Sequence, residues 1–185
     1  MAVAKKFKVQ AAPVTIEEGT QIGIFIGLIH VGMQKSDFKG EISFKDQVLL
    51  KFELPDTLLS DGRPVTLIKR ETNSIAKKSN LLKVIKALKG GKEVDEVDFE
   101  ELIGMPLMLD LKTNTKGTGV NITGYMAVPA GLKKNIKPQL NESTLLFDVE
   151  TISAKELEVL PEWIQKLINE RITGDIKAVD EDINY

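Results

Sequence analysis

Cations spaced along one stretch are the residues of this chain best suited to chemistry, and the chemistry they suit is neutralising phosphate. From Arg63 to Lys92 the sequence carries nine basic residues (Arg63, Lys69, Arg70, Lys77, Lys78, Lys83, Lys86, Lys89, Lys92) against one acid, Glu71, a formal +8. The whole chain is −2. A concentrated positive field on a slightly acidic protein suits a polyanion, most commonly nucleic acid. The same lysines also suit the solvated faces of a strand and a helix, so charge alone leaves both readings standing.

Other chemistries find little support. Cysteine is absent, which excludes disulfides, thiolate zinc sites and cysteine nucleophiles. The single histidine, His30, alternates with isoleucine and leucine and suits a satisfied core or edge position better than a triad. The acidic run Asp95, Glu96, Asp98, Glu100 and Glu101 could hold a divalent metal as a nuclease does, but it lacks a spaced partner group and reads more simply as a solvated face. Gly90-Gly91 follows a helical pattern and does not precede one, so it is not a phosphate-cradling loop. No catalytic residue, metal or cofactor is expected. The segment MAVAKKFKVQAAP lacks the apolar core of a signal peptide. The longest apolar run, 22–31, is too short to cross a bilayer, so a soluble, cytoplasmic protein without a membrane partner is expected.

The elements that must carry these residues follow from periodicity. A lysine-bearing arm, 1–18, precedes a first strand at 21–31, with Ile22, Ile24, Ile26, Leu28 and His30 on one face and Gly23, Phe25, Gly27, Ile29 and Val31 on the other. Its internal glycines signal a bend, a bulge or a close approach. Residues 32–46 read as a polar loop that can carry short strand ends, and a second strand at 47–54 sends Val48, Leu50, Phe52 and Leu54 inward. A third strand spans 64–72. Ser79 caps a helix at 80–89 with an apolar stripe of Leu81, Val84, Ile85 and Leu88. A fourth strand at 106–112 buries Leu107, Leu109 and Leu111. A fifth at 119–128 sends Val120, Ile122, Met126 and Val128 inward, and Asn121, Thr123 and Tyr125 outward.

Three strands, a helix and two strands is the element order of an OB-fold, so the expected fold is mainly β, a five-stranded barrel over 19–130. Residues 131–174 read as a linker followed by C-terminal helices, with a capping box at Ser153 and Glu156, Pro161 at the first position of a second helix, and Trp163 packed on the barrel. Residues 175–185 read as a disordered acidic tail. Charge divides accordingly: 141–185 holds four basic and eleven acidic residues, net −7, whereas 1–140 is net +5.

Several short motifs, in order, carry a resemblance. Gly19-Thr20, Val31-Gly32 with Gln34, Glu53-Leu54-Pro55-Asp56, Asp61-Gly62-Arg63-Pro64, Lys78-Ser79-Asn80-Leu81 and Leu160-Pro161-Glu162-Trp163-Ile164 resemble a family of bacteriophage single-stranded-DNA-binding proteins over 19–168. The resemblance implies an OB barrel that coats exposed strands during replication or recombination. Two positions depart from the family's pattern: Gln21 stands where an aromatic is expected, and His30 where an acid is expected. The tip Asp180-Glu181-Asp182-Ile183-Asn184-Tyr185 is similar to the acidic tips through which such proteins recruit replication and recombination partners of phage or host, which points to Asp180, Glu181, Asp182, Ile183 and Tyr185.

Single-strand binding without base preference needs cations along a phosphate path and π-faces for bases. Lys51, Lys69, Arg70, Lys77, Lys78, Lys83 and Lys86 are the expected phosphate contacts. Phe25 between its glycines, Phe38 and Phe44 each followed by lysine, and Tyr125 on a polar face are the candidate stacking residues, although Phe25 suits the core equally and Phe38 and Phe44 also suit pinning the loop. Phe52 reads as core. The competing function is a protein-interaction adaptor built on the same fold, which binds a replication protein and not DNA.

Overall fold

The computed structural model describes residues 14–173. In order these form β1 (Gly19–Phe38), β2 (Glu41–Leu58), β3 (Pro64–Thr72), α1 (Asn80–Leu88), β4 (Pro106–Thr113), β5 (Val120–Met126), a short 3-10 turn (Lys133–Asn135), β6 (Thr144–Leu146), α2 (Ala154–Glu158) and α3 (Glu162–Asn169). Hydrogen-bonded neighbours run β3-β2-β1-β4-β5, every pairing antiparallel, and β6 joins β1 in parallel. The protein is mainly β. Where a five-stranded barrel is expected, the described residues form six strands, and no backbone ladder joins the end strands β3 and β5.

The first two strands are far longer than their apolar patterns predict. Residues 32–46, expected as a loop, carry both strands onward as a two-stranded ribbon that turns at Lys39-Gly40. Both turn residues have positive φ, 56° and 86°, the I′-type combination whose twist matches that of a hairpin. Asp37 Oδ1 accepts the Gly40 N–H at 3.1 Å and fixes the turn.

The strand alternation read from sequence is broken by two register shifts in β1, at Phe25/Gly27 and His30/Gly32. A bulge changes which face the following side chains take. Phe25 and Leu28 therefore share one core with Val48, Leu50, Phe52, Leu54, Leu107, Leu109, Leu111, Ile122 and the apolar stripe of α1. Ile29 and Val31 turn to the opposite face, where they pack with Leu49, Leu160, Ile164 and Ile168. Helix α1 is built as its sequence dictates. Ser79 accepts the Leu82 N–H at 3.2 Å, and Gly91 N–H closes the other end on Lys86 O at 2.7 Å.

The 131–140 segment, expected as a linker, is bound into the sheet. Glu53 is fully buried on β2, and its carboxylate accepts the N–H groups of Leu140 (3.0 Å) and Asn141 (2.8 Å). Asn141 Nδ2 then donates to Pro64 O at 2.9 Å. The chain continues as β6 beside Gly27, where any Cβ would strike the Thr144 carbonyl. This is the close approach that a glycine inside a strand signals. Beyond it, α2 begins with the expected Ser153–Glu156 capping box. Pro161 sits at the N-cap of α3, one position earlier than expected. Ile164 and Ile168 form the buried stripe, so Trp163 stays 47% exposed and does not pack on the sheet as expected.

Gly27→Ala should therefore push β6 away from β1 and lower the free energy of unfolding by roughly 1–3 kcal/mol, the cost of overpacking a tight site. Urea unfolding measures this, and unchanged stability would contradict the close packing.

Candidate nucleic-acid interface

Side chains bridge the seam between β3 and β5. Glu71, near the end of β3, is 9% exposed; Oε1 accepts the Tyr125 hydroxyl and Oε2 accepts Asn80 Nδ2, each at 3.0 Å. One carboxylate thus ties β3 to β5 and to the first turn of α1. Tyr125 reaches it because of a register shift: Asp110 pairs with Gly124 and Leu111 with Ile122, which leaves Thr123 as the extra residue. The bulge turns Tyr125 inward with Ile122 and Met126 outward at 44% exposure, the reverse of the simple alternation. The Tyr125 ring packs on Phe52, 6.1 Å between centroids. Burial pushes its phenol pKa up, and the neighbouring Glu71 carboxylate adds to the rise. Ring and hydroxyl are committed to the seam, which removes Tyr125 from the candidate stacking faces.

Phe25 is removed for a similar reason. It is wholly buried, with its ring 5.9 Å from Phe52 and 6.5 Å from Phe99. The space beside Gly23 is taken by Leu109, and that beside Gly27 by the Thr144 backbone, so neither glycine opens a path to a base. Phe52 is core, as its periodicity implies.

The basic stretch divides by what each cation already holds. Lys86 Nζ lies 2.7 Å from Glu93 Oε2, and Lys89 Nζ lies 3.2 Å from Glu101 Oε2. The acidic run 93–101 supplies these partners, and Lys86 holds the Glu93 carboxyl below its ordinary pKa. Lys51 is half-buried and donates to Thr144 Oγ1 at 3.0 Å; burial lowers its pKa. It serves the β6 segment. By contrast, Lys69, Arg70, Lys77 and Lys78 form no ion pair with the described residues. Arg70, Lys77 and Lys78 are exposed, and Lys69 is partly so. They lead from the end of β3 to the N-cap of α1, whose first turn carries no acid. The positive end of the helix dipole therefore adds to the field of Lys77 and Lys78. Lys83, one turn on, is exposed and donates to Asn80 Oδ1 at 3.0 Å.

The ribbon adjoins this edge. Asn73 donates from its backbone to Asp46 O (2.8 Å) and from Nδ2 to Asp46 Oδ2 (2.7 Å). His30 bridges the same base, with Nε2 2.7 Å from Asp46 Oδ1 and Nδ1 2.6 Å from Phe147 O. It is a structural link between β1, β2 and the segment after β6. On the ribbon, Phe44 is 39% exposed and stands opposite Lys35 in the register. Phe38 lies opposite Glu41 beside the turn. Two exposed apolar residues were not legible as site candidates: Ile42 on the ribbon, 54% exposed, and Ile75 in the loop before α1, 65% exposed. The only signal for Ile75 is an isolated isoleucine in the polar run Thr72–Lys78.

Lys69 and Arg70 at the end of β3, Lys77 and Lys78 before α1 and Lys83 within it thus follow one another along the chain, with Lys69 on the Glu71 face of β3 and Arg70 on the opposite face across from Leu49, and Phe44 stands on the adjoining ribbon. The tip residues Asp180, Glu181, Asp182, Ile183 and Tyr185 lie outside the described residues. Among the described residues no group of His, Asp and Glu could hold a metal ion, and no helix is long and apolar enough to cross a membrane. Compared with known proteins, the chain matches no family model and no curated sequence.

The seam has a measurable signature. In a Tyr185→Phe chain, Tyr125 is the one remaining tyrosine. Its folded pKa lies above the ordinary value of about 10. The unfolded chain thus loses this proton first, and stability falls as pH rises through about 10. Tyrosinate absorbance should appear together with alkaline unfolding, and its appearance in the folded protein near pH 10 would contradict the buried seam.

Proposed function

We propose that this chain binds single-stranded DNA without base preference, as a coating protein of a phage replication or recombination system. The observation that carries the proposal is the sorting of its cations: Glu93 and Glu101 pair with Lys86 and Lys89, while Lys69, Arg70, Lys77 and Lys78 form no ion pair among the described residues, Lys77 feeling Glu93 only at longer range. An unpaired basic track is free to neutralise a phosphate backbone and release that backbone's counterions, which is how such proteins gain affinity. The fold supports the reading. The order β3-β2-β1-β4-β5, with α1 between β3 and β4, agrees with a partly open OB barrel, and the Glu71–Tyr125 bond stands where such a barrel closes. Loops at the ends of the first strand pair and of the last are where OB folds take oligonucleotides. Here the former is the ribbon carrying Phe44. Phe44 is the exposed aromatic on that ribbon, and Ile75, in the loop before α1, is a further exposed apolar residue. The acidic tip, through Asp180 to Tyr185, recruits replication partners in this reading.

The competing adaptor function draws on the same exposed Ile42, Phe44 and Ile75, which suit a protein partner as well as bases. Paired charge reversals separate the two. Lys77→Glu/Lys78→Glu should weaken binding to labelled oligothymidine and lower the salt slope by about two, one for each phosphate that is no longer neutralised. Lys86→Glu/Lys89→Glu, which removes cations already paired, should leave the slope within about half a unit of wild type. Equal effects of both pairs, or no effect of either, would overturn the assignment of the track.

A further inference from the structure

The ribbon ends in a strand edge that fits a second copy of itself. Between Glu41 and Lys45, β2 has β1 on one side and nothing on the other among the described residues, because β3 pairs only from Gln47 onward. In an antiparallel hairpin closed by a two-residue turn, backbone N–H and C=O groups point alternately to the partner strand and away from it. Asp46 fixes the phase: its carbonyl points away from β1 and accepts the Asn73 N–H at 2.8 Å. Two and four residues back, Phe44 and Ile42 therefore direct their N–H and C=O groups to the open side. Their side chains are exposed as well, at 39% and 54%.

The sequence at this edge, Glu41-Ile42-Ser43-Phe44-Lys45, is complementary to itself when reversed. Two such strands paired antiparallel about Ser43 set Ile42 opposite Phe44 and Glu41 opposite Lys45, each twice. The Ile42/Phe44 pairs are then the ones whose backbone groups face each other, which permits four N–H···O=C bonds. On one face the pairing gathers two isoleucines and two phenylalanines; on the other it makes two opposite-charge pairs. This is the isologous, self-complementary pattern that a two-fold interface requires. It also covers an edge that would otherwise stay open.

We infer that the ribbon edge Glu41–Lys45 is a homodimer contact in which two copies of this chain join their β2 strands into one continuous sheet. The contact is small, so the dimer is weak in free solution and strengthens when two copies are held on one ligand, where effective concentration is high. The contact uses none of the cations of β3 and α1 but shares Phe44 with the proposed base-stacking surface; because its test is made without DNA, the dimer can fail while strand binding holds, and the reverse.

Sedimentation of the full chain over a range of concentrations up to high micromolar tests it. Wild type should show a reversible monomer–dimer equilibrium. Glu41→Lys alone, or Lys45→Glu alone, sets like charges opposite each other twice and should weaken the dimer roughly tenfold. The double variant Glu41→Lys/Lys45→Glu restores opposite charges and should recover it. All three changes lie on an exposed ribbon, and circular dichroism confirms that each variant is folded. A wild type that stays monomeric, or a dimer indifferent to the single reversals, or a double variant no better than the singles, would overturn the contact.

Discussion

Strand β1 is the constraint on which the rest depends. Strands β2, β4 and β6 all pair with it, the backbone ladders of β3 and β5 reach it through β2 and β4, and α3 covers its outer face. One strand can serve so many partners because its glycines let them come close: Leu109 at Gly23 and the Thr144 backbone at Gly27. Its bulges then distribute its apolar side chains between two cores, Phe25 and Leu28 to one and Ile29 and Val31 to the other. A strictly alternating strand would put Phe25 on the same face as Ile29 and Val31, and Leu28 on the other.

Electrostatics sort the surface as packing sorts the interior. A run of nine cations is expensive to hold together. The chain relieves part of the repulsion by setting Glu93 and Glu101 against Lys86 and Lys89, and by burying Glu71 between β3, β5 and α1. What remains, without ion pairs among the described residues, is a short basic track on either side of two structural anchors, the seam at Glu71 and the hydrogen-bonded Asn73–Asp46 corner. In the proposed function, that track and the adjoining ribbon form one surface for a strand.

Much of this was legible from local pattern. The stripe of α1 with its Ser79 cap, the Leu107-Leu109-Leu111 alternation and the Ser153–Glu156 box all depend on residues close in sequence, and all appear as expected. The features that sequence misplaces depend on partners far away. Three residues, Thr144 to Leu146, make a strand only because Gly27 leaves room for them. A bulge opposite Asp110 reverses Tyr125 and Met126, and nothing in 119–128 announces it. Residues 32–46 alternate too weakly in polarity to look like strands, because most of the ribbon beyond Gln34 is exposed and the one buried side chain at its base is a polar glutamine. The motif residues of the phage-family resemblance prove largely structural: Glu53 anchors the returning chain, Asp61 holds Arg63 in a turn, and Ser79 caps a helix. They bear on the fold more than on the ligand.

Fluorescence anisotropy with labelled oligothymidine, the matching duplex and an RNA strand, each titrated at two salt concentrations, tests the central claim most directly. The expected result is tight binding to the single DNA strand, weak binding to the duplex, and affinity that falls steeply as salt rises. Binding to none of the three, or binding that ignores salt, would contradict single-strand coating and favour a protein partner for the exposed ribbon.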